Sequence, residues 1–337
     1  MSGLPFRSLI VVAAVLAGSA GCASPRSDGS AAATGTAGSG GELTRLDANR
    51  LLGHVRTLAA DSFGGRVVGT PHGAMARAYV RSAFQAAGLQ PIGGSFDQPF
   101  SFSRRDSTVV NAANVVGMVR GTRFPGRYIV VTAHYDHVRG PAVAGDSIYN
   151  GADDNASGAA AVLEVAQYFA AHRPANSMIF VAFDAEEAGL RGARAFLASP
   201  PVALDSIIMN VNMDMVSRSP VGELYAVGTY PYPVLSDYIK REQVVGRVKL
   251  LTGHEGPTAR GSDNWTDASD HGPFNAQKIP FLYFGVEDHP GYHKPSDEFG
   301  QITPAFFAQA AETVLDVLID LDRDLEPVVK VRRQSPS

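Results

Sequence analysis

A short acidic segment bounded by glycines, GADDNASG at 151–158, is the stretch around which the rest of the chain is organised. Its two glycines allow a tight backbone turn, and three consecutive acidic or amide side chains offer oxygen ligands that suit hard divalent cations. A helical pattern of apolar residues follows directly, with Ser157 in place to cap that helix. A solvated turn before a capped helix is the alternative interpretation. We interpret the segment as a loop that places the carboxylate of Asp154 between two metal ions.

Further side chains with metal-binding chemistry follow three apolar runs, at the point where each run ends. They are imidazoles and carboxylates, namely His134, Asp136, Glu186, Glu187 and Asp214. Any one of them alone could cap a helix or face solvent. Because ligands of open α/β sheets bind in the crevice beyond the carboxyl ends of the strands, we expect these side chains to lie together at one edge of a sheet.

Two histidines, His289 and His293, lie after the last apolar run, where neither helix nor strand formation requires them. We choose His293 as the metal ligand. The other histidines, including His137 and His271, are expected to support the ligands, to pack in the core or to lie on the surface. Imidazole and carboxylate ligands without a thiolate are typical of a catalytic zinc site rather than a closed structural one.

Apolar runs alternate with helical patterns through most of the chain. Strands rich in Val and Ile are predicted at 109–119, 127–133, 178–183, 206–211 and 279–284. Helices are predicted at 43–58, 72–87, 158–172, 189–198, 232–244 and 303–321. Residues 121–126 form a hairpin-like break between the first two strands. The alternation predicts an α/β fold, a three-layer α/β/α sandwich with a mixed, largely parallel central sheet.

Composition is that of a globular protein. The chain has 337 residues, of which 45% are hydrophobic, and a formal net charge of −4. A chain of this length can bury a full core. Its only basic cluster is the short segment at 330–333, so nucleic acid is not an expected partner. The single cysteine, Cys22, precedes the predicted domain, in which we therefore expect no disulfide and no thiol nucleophile.

The N-terminus is predicted to be an export signal rather than part of the fold. An apolar run at 9–17 is too short to span a bilayer, and Gly21 precedes Cys22 as at the acylation site of bacterial lipoproteins. Ordinary signal-peptidase cleavage is the alternative, because Ser19 stands where that pattern usually has Leu. The protein is thus expected to be exported, either lipid-anchored to a bacterial membrane or released. We divide the chain into a signal at 1–22, a flexible tether rich in small residues at 23–42, one domain at 43–325 and a C-terminal tail at 326–337.

A series of motifs, in order along the chain, resembles that of the dinuclear-zinc aminopeptidases. The motifs are HYD at 134–136, GADDNASG at 151–158, AEEAGLRG at 185–192, NMD at 212–214, SDH at 269–271 and YHKPSD at 292–297. That superfamily also holds glutamate carboxypeptidase, glutaminyl cyclase and the transferrin receptor. The likeness extends from about residue 44 to residue 325, and LAADSFGGR at 58–66 is similar to an N-terminal motif common in bacterial members. It further implies a cis peptide bond between Asp154 and Asn155.

The resemblance implies one catalytic domain that holds two Zn²⁺ ions. Asp154 would bridge the two ions. One ion would also bind His134 and Asp214, and the other would bind Glu187 and His293. Two metal ions about 3.5–4 Å apart can share a water and lower its pKa.

The resemblance also assigns residues that would act on the substrate or support the ligands. Glu186 would take the proton of a water held between the zinc ions and pass it to the leaving amine. Its neighbour Glu187 can bind metal at the same time, because adjacent side chains on extended backbone point in different directions. Tyr292 would polarise the scissile carbonyl. Asp136 would hold the far nitrogen of the nearby histidine ligand, and Asp270 would support the metal ligands.

These roles predict a zinc exopeptidase that hydrolyses N-terminal residues of peptides, with peptides as partners and a membrane only through Cys22. A glutaminyl cyclase, which uses a single zinc, and a carboxypeptidase-type enzyme are alternatives. A binding protein that kept the fold and lost the chemistry, as the transferrin receptor did, is the third, and the presence of every predicted ligand and of the base argues against it. Side-chain preference and oligomeric state stay open. Five aromatic residues could either wall a substrate pocket or pack in the core: Tyr225, Tyr230, Tyr232, Trp265 and Phe274.

Overall fold

The computed structural model describes residues 44–334 of the chain. The predicted export signal with Cys22, the tether and residues 335–337 lie outside the described residues. Within the described part, none of the helices combines the length and the apolar character that crossing a membrane requires.

Helices and strands alternate through residues 44–334. The helices are α1 (Ala48–Leu58), α2 (Pro71–Ala86), α3 (Gly158–Ala171), α4 (Arg191–Ala198), α5 (Ser236–Val245), α6 (His271–Ala276), α7 (Pro304–Arg323) and α8 (Glu326–Gln334). The strands are β1 (Gln90–Pro91), β2 (Asp97–Ser103), β3 (Val109–Val119), β4 (Phe124–His134), β5 (Asn176–Phe183), β6 (Ile207–Met213), β7 (Glu223–Val227), β8 (Lys249–Thr252) and β9 (Phe281–Gly285).

All of these strands belong to one mixed sheet. Its order is β1-β3-β5-β4-β6-β9-β7-β8, and β2 also pairs with β3. The central strands β5, β4, β6 and β9 are parallel, whereas β3 is antiparallel to β5 and β7 is antiparallel to β9. The predicted three-layer α/β fold with a mixed, largely parallel sheet is therefore confirmed.

The central strand β5 shows how the two faces of the sheet are covered. Each of its residues is buried, as expected for a continuous apolar run. Alternate side chains from Met178 to Ala182 pack in one hydrophobic cluster with α1, α3 and α7, and those from Ile179 to Phe183 pack in a second cluster with α4 and α6. Since successive side chains of a strand point to opposite faces, helices on both faces are needed to bury this strand.

The predicted hairpin between β3 and β4 is wrong. Strand β5 lies between them, antiparallel to β3 and parallel to β4. The break at 121–126 instead packs against the chain that enters β5, where a Cβ on Gly121 would lie 2.5 Å from the carbonyl carbon of Asn176. A local cluster of Gly and Pro marks a break in the chain, but it does not show which strand will occupy the neighbouring position.

Several boundaries and elements also differ from the prediction. Helix α1 begins at Ala48 rather than at residue 43, because Asp47 caps it by accepting hydrogen bonds from two main-chain N–H groups. Strands β1, β2, β7 and β8 were not predicted, and each is short or only partly buried, so its apolar pattern is weak. The segment expected to be a tail contains α8, whose Val328 and Val329 are buried.

One buried acidic side chain outside the catalytic motifs is Glu242 of α5. It lies among charged residues that include Asp316 and Asp320 of α7. Burial, and then those two carboxylates, raise the pKa of Glu242 to about 7, although Arg247 and Arg241 act in the opposite direction. The folded protein therefore binds a proton here near neutral pH, which the unfolded chain does not.

Candidate metal centre

The parallel strands deliver the predicted site residues to one edge of the sheet. His134 is the last residue of β4, Asp214 follows β6, and the pair Glu186 and Glu187 lies just beyond β5. His293 lies in the loop after β9. These are the carboxyl ends of neighbouring parallel strands, where the crevice of an open α/β sheet binds ligands.

The acidic loop at 151–158 depends on its two glycines for different reasons. Gly151 has φ of 54°, and a Cβ there would lie 2.1 Å from the carbonyl oxygen of Asp154. Gly158 is helical, but a Cβ there would lie 2.4 Å from Asn155 Oδ1 and 2.4 Å from the carbonyl oxygen of Met213. The peptide bond between Asp154 and Asn155 is cis, as the resemblance implied.

The predicted capping role of Ser157 is wrong. Its hydroxyl donates to the carbonyl oxygen of Asp153 at 2.7 Å and accepts from the N–H of Val216 at 3.0 Å. The N–H of Gly158 donates instead to Asn155 Oδ1 at 2.9 Å. The side chain of Asn155 thus satisfies the first helical N–H, and Ser157 ties the loop to the chain beyond β6.

A second carboxylate holds the main chain of the loop. Asp297 accepts hydrogen bonds from the N–H groups of Asp153 at 3.1 Å and Asp154 at 3.0 Å. Asp153 Oδ1 accepts from the N–H and the hydroxyl of Ser217, both at 2.7 Å, and its Oδ2 lies 3.3 Å from His289 Nε2. Burial and the neighbouring Asp153 raise the pKa of Asp297 to about 7. Asp153 and His289 therefore fix the loop and leave Asp154 to face the site.

One group of potential ligands consists of His134, Asp154 and Asp214. His134 Nε2 lies 3.2 Å from Asp214 Oδ1 and 3.5 Å from Asp154 Oδ1. The other ring nitrogen, Nδ1, lies 3.1 Å from the carbonyl oxygen of Asp136 and 3.7 Å from its carboxylate. The carboxylate of Asp136 accepts a hydrogen bond from the N–H of Glu186 at 3.0 Å. Asp136 thus orients His134 chiefly through its main-chain carbonyl group, and its side chain orients the loop that carries Glu186.

The second group consists of His137, Asp154 and Glu187, and His293 lies beside it. His293 Nε2 lies 3.1 Å from Asp154 Oδ2 and 3.3 Å from Glu187 Oε2. His137 Nδ1 lies 2.9 Å from Glu187 Oε1 and 3.7 Å from Asp154 Oδ2. Burial lowers the pKa of His137 to about 3, so its ring is neutral. His137 was expected only to support the ligands, to pack in the core or to lie on the surface, although its place three residues after His134 was a usable signal.

The donor set fits divalent metal ions. Each of the two groups offers three ligand atoms within 4.8 Å of one another, and Asp154 belongs to both. Burial and the nearby Glu187 raise the pKa of Asp154, while hydrogen bonds to Asp154 and Glu187 overcome the effect of burial and raise the pKa of His293 to about 10. Carboxylates packed this closely are stabilised by positive charge, and imidazole with carboxylate oxygen is a typical ligand set of catalytic zinc.

The predicted catalytic residues lie at the wall of the same site. Glu186 and Tyr292 line its cavity, and the Tyr292 ring stacks on His293 with centroids 3.9 Å apart. Burial, and then Asp270, Asp214 and Glu187, raise the pKa of Glu186 well above its ordinary value, against the opposing effect of a charged His134. Burial likewise raises the pKa of Tyr292.

Asp270 lies behind this wall as a fully buried carboxyl group. Neither of its oxygens has a hydrogen-bond partner among residues 44–334. Burial raises its pKa well above the ordinary value. Asp270 therefore affects the pKa of Glu186 electrostatically and not through a hydrogen bond.

The cavity in front of the ligands has a volume of about 610 Å³. Of the five aromatic residues considered in the sequence analysis, only Trp265 lines it, and Tyr225 packs against Trp265 with ring centroids 5.5 Å apart. Phe274 and Tyr232 are buried in the core, and Tyr230 is 60% exposed. The cavity wall thus contains one large aromatic surface beside the predicted site.

The chain matches one protein family and is similar in sequence to two proteins of known class. The model of the family described as "Peptidase family M28" matches residues 114–318. A "Probable zinc metalloprotease" of Pyrenophora tritici-repentis is 31% identical over 150 residues, which are 43% of this chain and 35% of that protein. "Aminopeptidase YwaD" of Bacillus subtilis is 30% identical over 211 residues, which are 60% of this chain and 43% of that protein. The chain thus spans less than half the length of either relative.

A solved structure shares the fold at low sequence identity. The glutaminyl cyclase of Bacteroides thetaiotaomicron, bound to N-acetylhistamine, superposes with a TM-score of 0.69 at 20% identity. The match covers 83% of this chain and 99% of that one. At this level of identity the likeness concerns the fold.

Proposed function

The chain belongs to peptidase family M28, and from that membership we propose that it is a zinc-dependent exopeptidase that removes N-terminal residues from peptides. The similarity to relatives named as a zinc metalloprotease and an aminopeptidase supports the reaction class and the metal. The pair of ligand groups that share Asp154 supports two zinc ions per chain.

The charge of the cavity is the observation that carries the choice of an aminopeptidase. Asp267 and Asp288 line the cavity in addition to the proposed ligands and Glu186, and no lysine or arginine within residues 44–334 does so. An aminopeptidase must bind the ammonium group of its substrate, whereas a carboxypeptidase must bind a terminal carboxylate. Two divalent cations would balance the carboxylates of the site itself, which leaves Asp267 and Asp288 to attract an ammonium group.

We keep the ligand assignment of the sequence analysis, which the short contacts of His293 with Asp154 and Glu187 support. His134 and Asp214 would hold one ion, Glu187 and His293 would hold the other, and Asp154 would contribute one oxygen to each. When bound, the zinc ions would supply Lewis acidity to the scissile carbonyl and lower the pKa of a nucleophilic water.

Glu186 is the proposed general base. It lines the cavity, is not a member of either ligand group, and has a raised pKa, so it can hold a proton and later release it to the leaving amine. Asp136 fixes the start of this loop through the N–H of Glu186. The hydroxyl of Tyr292, which burial keeps protonated, can donate a hydrogen bond to the carbonyl oxygen as negative charge develops on it.

A peptide screen tests the proposal. We expect the metal-loaded protein to release single residues from a peptide with a free amine and a C-terminal amide, and to leave the N-acetylated peptide intact. Asp267→Asn and Asp288→Asn should raise KM for the free-amine peptide more than they lower kcat, because they remove charge that attracts the ammonium group.

Two outcomes would contradict the proposed activity. Release of C-terminal residues from the N-acetylated peptide would show a carboxypeptidase. Loss of ammonia from a peptide with N-terminal glutamine, with one zinc per chain and no cleavage, would show a glutaminyl cyclase.

Export is proposed on the N-terminal sequence alone. We propose that Cys22 is acylated and anchors the protein to a bacterial membrane, which requires more than one acyl chain for stable binding. Cys22→Ser should then alter processing or release the protein from the membrane fraction. A mature N-terminus at any other residue, found by mass spectrometry, would refute acylation.

A further inference from the structure

The proposed mechanism gives no role to the N-terminal motif LAADSFGGR at 58–66, whose arginine is one of the most deeply buried side chains of the described residues. Arg66 is 0% exposed. We propose that Arg66 is a positioning residue that holds the two loops bearing His134 and Asp154 at the separation that metal binding requires. This inference rests on the proposed metal-dependent function.

The contacts of Arg66 join three segments of the chain. Its Nε donates to the carbonyl oxygen of Tyr135 at 2.8 Å, and its Nη1 donates to those of Leu58 at 2.9 Å and Asn150 at 2.5 Å. Its Nη2 donates to the carbonyl oxygen of Gly151 at 2.9 Å. We call Arg66 and these four carbonyl groups the guanidinium bridge.

Two of the bridged segments carry metal ligands. Tyr135 lies between His134 and Asp136, and residues 150–151 lie at the start of the acidic loop that contains Asp154. The third segment is the end of α1, which packs on the hydrophobic core through Leu58. The bridge therefore ties both ligand loops to a rigid element that does not belong to the site.

The backbone of the motif is shaped to bring this side chain in. Gly64, Gly65 and Arg66 have φ of 48°, 71° and 56°, and this left-handed region is unfavourable for a residue with a Cβ. A Cβ on Gly65 would lie 2.6 Å from the carbonyl oxygen of Tyr149, directly before the bridged residues. The four carbonyl groups that this side chain contacts account for an arginine at such a position.

The charge of Arg66 and its hydrogen bonds have opposite effects on a bound cation. Burial lowers the pKa of Arg66 to about 10, and the nearby Asp154, Asp297, Asp136 and Glu187 act against that effect, so the group stays charged at neutral pH. A fixed positive charge near the site repels a metal ion. Its hydrogen bonds, in contrast, hold the ligand loops in one arrangement before the metal arrives. If the charge matters more, a neutral substitution should strengthen metal binding. If the hydrogen bonds matter more, it should weaken metal binding.

Lysine cannot replace this arginine. Its ammonium group donates from a single point, whereas the guanidinium offers five N–H donors spread over a planar fork. We therefore expect Arg66→Lys, which keeps the charge, and Arg66→Gln, which removes it, both to weaken zinc binding. Loss of groups that orient metal ligands typically lowers metal affinity tenfold to a hundredfold.

Arg332→Lys is the matched control. Arg332 of α8 is also buried and donates from Nε to the carbonyl oxygen of Ile207 at 3.1 Å. Ile207 begins β6, whereas the ligand Asp214 follows its other end, about 20 Å away along the strand. The control should lower the melting temperature and leave zinc affinity within twofold of the wild type.

The experiment measures zinc affinity by competition with a chelator, beside circular dichroism to show that each variant is folded. An increase in Kd of tenfold or more for both Arg66 variants, but not for the control, supports the proposal. Unchanged affinity in a folded Arg66→Lys protein, or tighter binding by Arg66→Gln, would overturn it while the proposed function stands. A wild-type chain that binds no zinc would refute the proposed function itself.

Hydrogen exchange on the wild-type chain needs no variant. Because coupling between the bridge and the metal is reciprocal, zinc should slow amide exchange at 61–66 together with the ligand loops. Protection of the ligand loops without any change at 61–66 would overturn the proposal even if the Arg66 variants do not fold.

Discussion

The adjacent glutamates provide the sharpest test of the proposed chemistry, because the same substitution should have different consequences at each. Glu187 Oε2 faces His293 Nε2 at 3.3 Å, and its Oε1 accepts from His137 Nδ1 at 2.9 Å. Glu186 lines the cavity and is in neither ligand group. Replacement by glutamine keeps the size of either side chain and removes its negative charge.

Glu186→Gln should keep the fold and the bound zinc and lose most of the activity. General base catalysis contributes roughly 10²–10⁴ in rate, or about 3–5 kcal/mol of the activation barrier. Burial and the nearby Asp270 raise the pKa of Glu186, whereas bound cations would act in the opposite direction. We therefore expect kcat to fall by a factor within that range.

Glu187→Gln should act first on the metal. A neutral amide is a weaker zinc ligand than a carboxylate, and its NH₂ group can face His293, which the carboxylate now contacts through Oε2. One zinc site should therefore weaken, and activity should be lost because the metal is lost. The contact with His137 can survive, because the amide oxygen still accepts a hydrogen bond.

The assay follows release of the N-terminal residue at a series of free zinc concentrations, with zinc per chain measured on the same samples. Added zinc should restore part of the activity of Glu187→Gln and none of that of Glu186→Gln. The double variant Glu186→Gln/Glu187→Gln measures how much of the observed activity comes from contaminating enzymes. Zinc rescue of Glu186→Gln, with a zinc-saturated but inactive Glu187→Gln, would show that the roles of base and ligand are reversed.

Three further changes test other parts of the structure. Asp154→Ala should release zinc from both groups, so metal analysis that still shows two tightly bound ions would exclude Asp154 as the shared ligand. Because the pKa of Glu242 is raised to about 7, this group should contribute stability on the order of 2–3 kcal/mol as pH falls from 8 to 4.5, and the change in the free energy of urea unfolding over this range should differ by that amount between the wild type and Glu242→Gln. Gly158→Ala should destabilise the fold by about 1–3 kcal/mol despite the better helix propensity of alanine, since its Cβ would lie 2.4 Å from a main-chain oxygen. Gly53→Ala in α1, with no atom within 4 Å of its Cβ, should stabilise the fold and is the control.

The strands that were predicted correctly are those with a strong apolar pattern within a short segment. The interval 109–119 was predicted as a strand and is β3 with the same bounds, and the apolar core of β5 was equally clear. Both segments are rich in apolar residues, as expected for strands that lie largely within the core. Strands β1, β2 and β8 were not predicted, because their exposed positions do not require apolar residues.

Side-chain contacts between residues far apart in the sequence were harder to predict. His137 was not chosen as a metal ligand, although in the structure it contacts Glu187. The role of Asp297 in holding the main chain of Asp153 was not predicted either, since the two residues are 144 positions apart. Such contacts depend on how loops fold over the strand ends.

The sequence by itself determined the types of ligand and the order in which strands present them, because residue chemistry and hydrophobic periodicity are properties of short segments. Only the tertiary structure decided which atoms meet. It inserted β5 between β3 and β4, divided the two oxygens of Asp154 between two ligand groups, and brought Arg66 to carbonyl groups as far as 85 positions away. Those arrangements depend on packing and hydrogen bonding across the whole domain, which no local pattern contains.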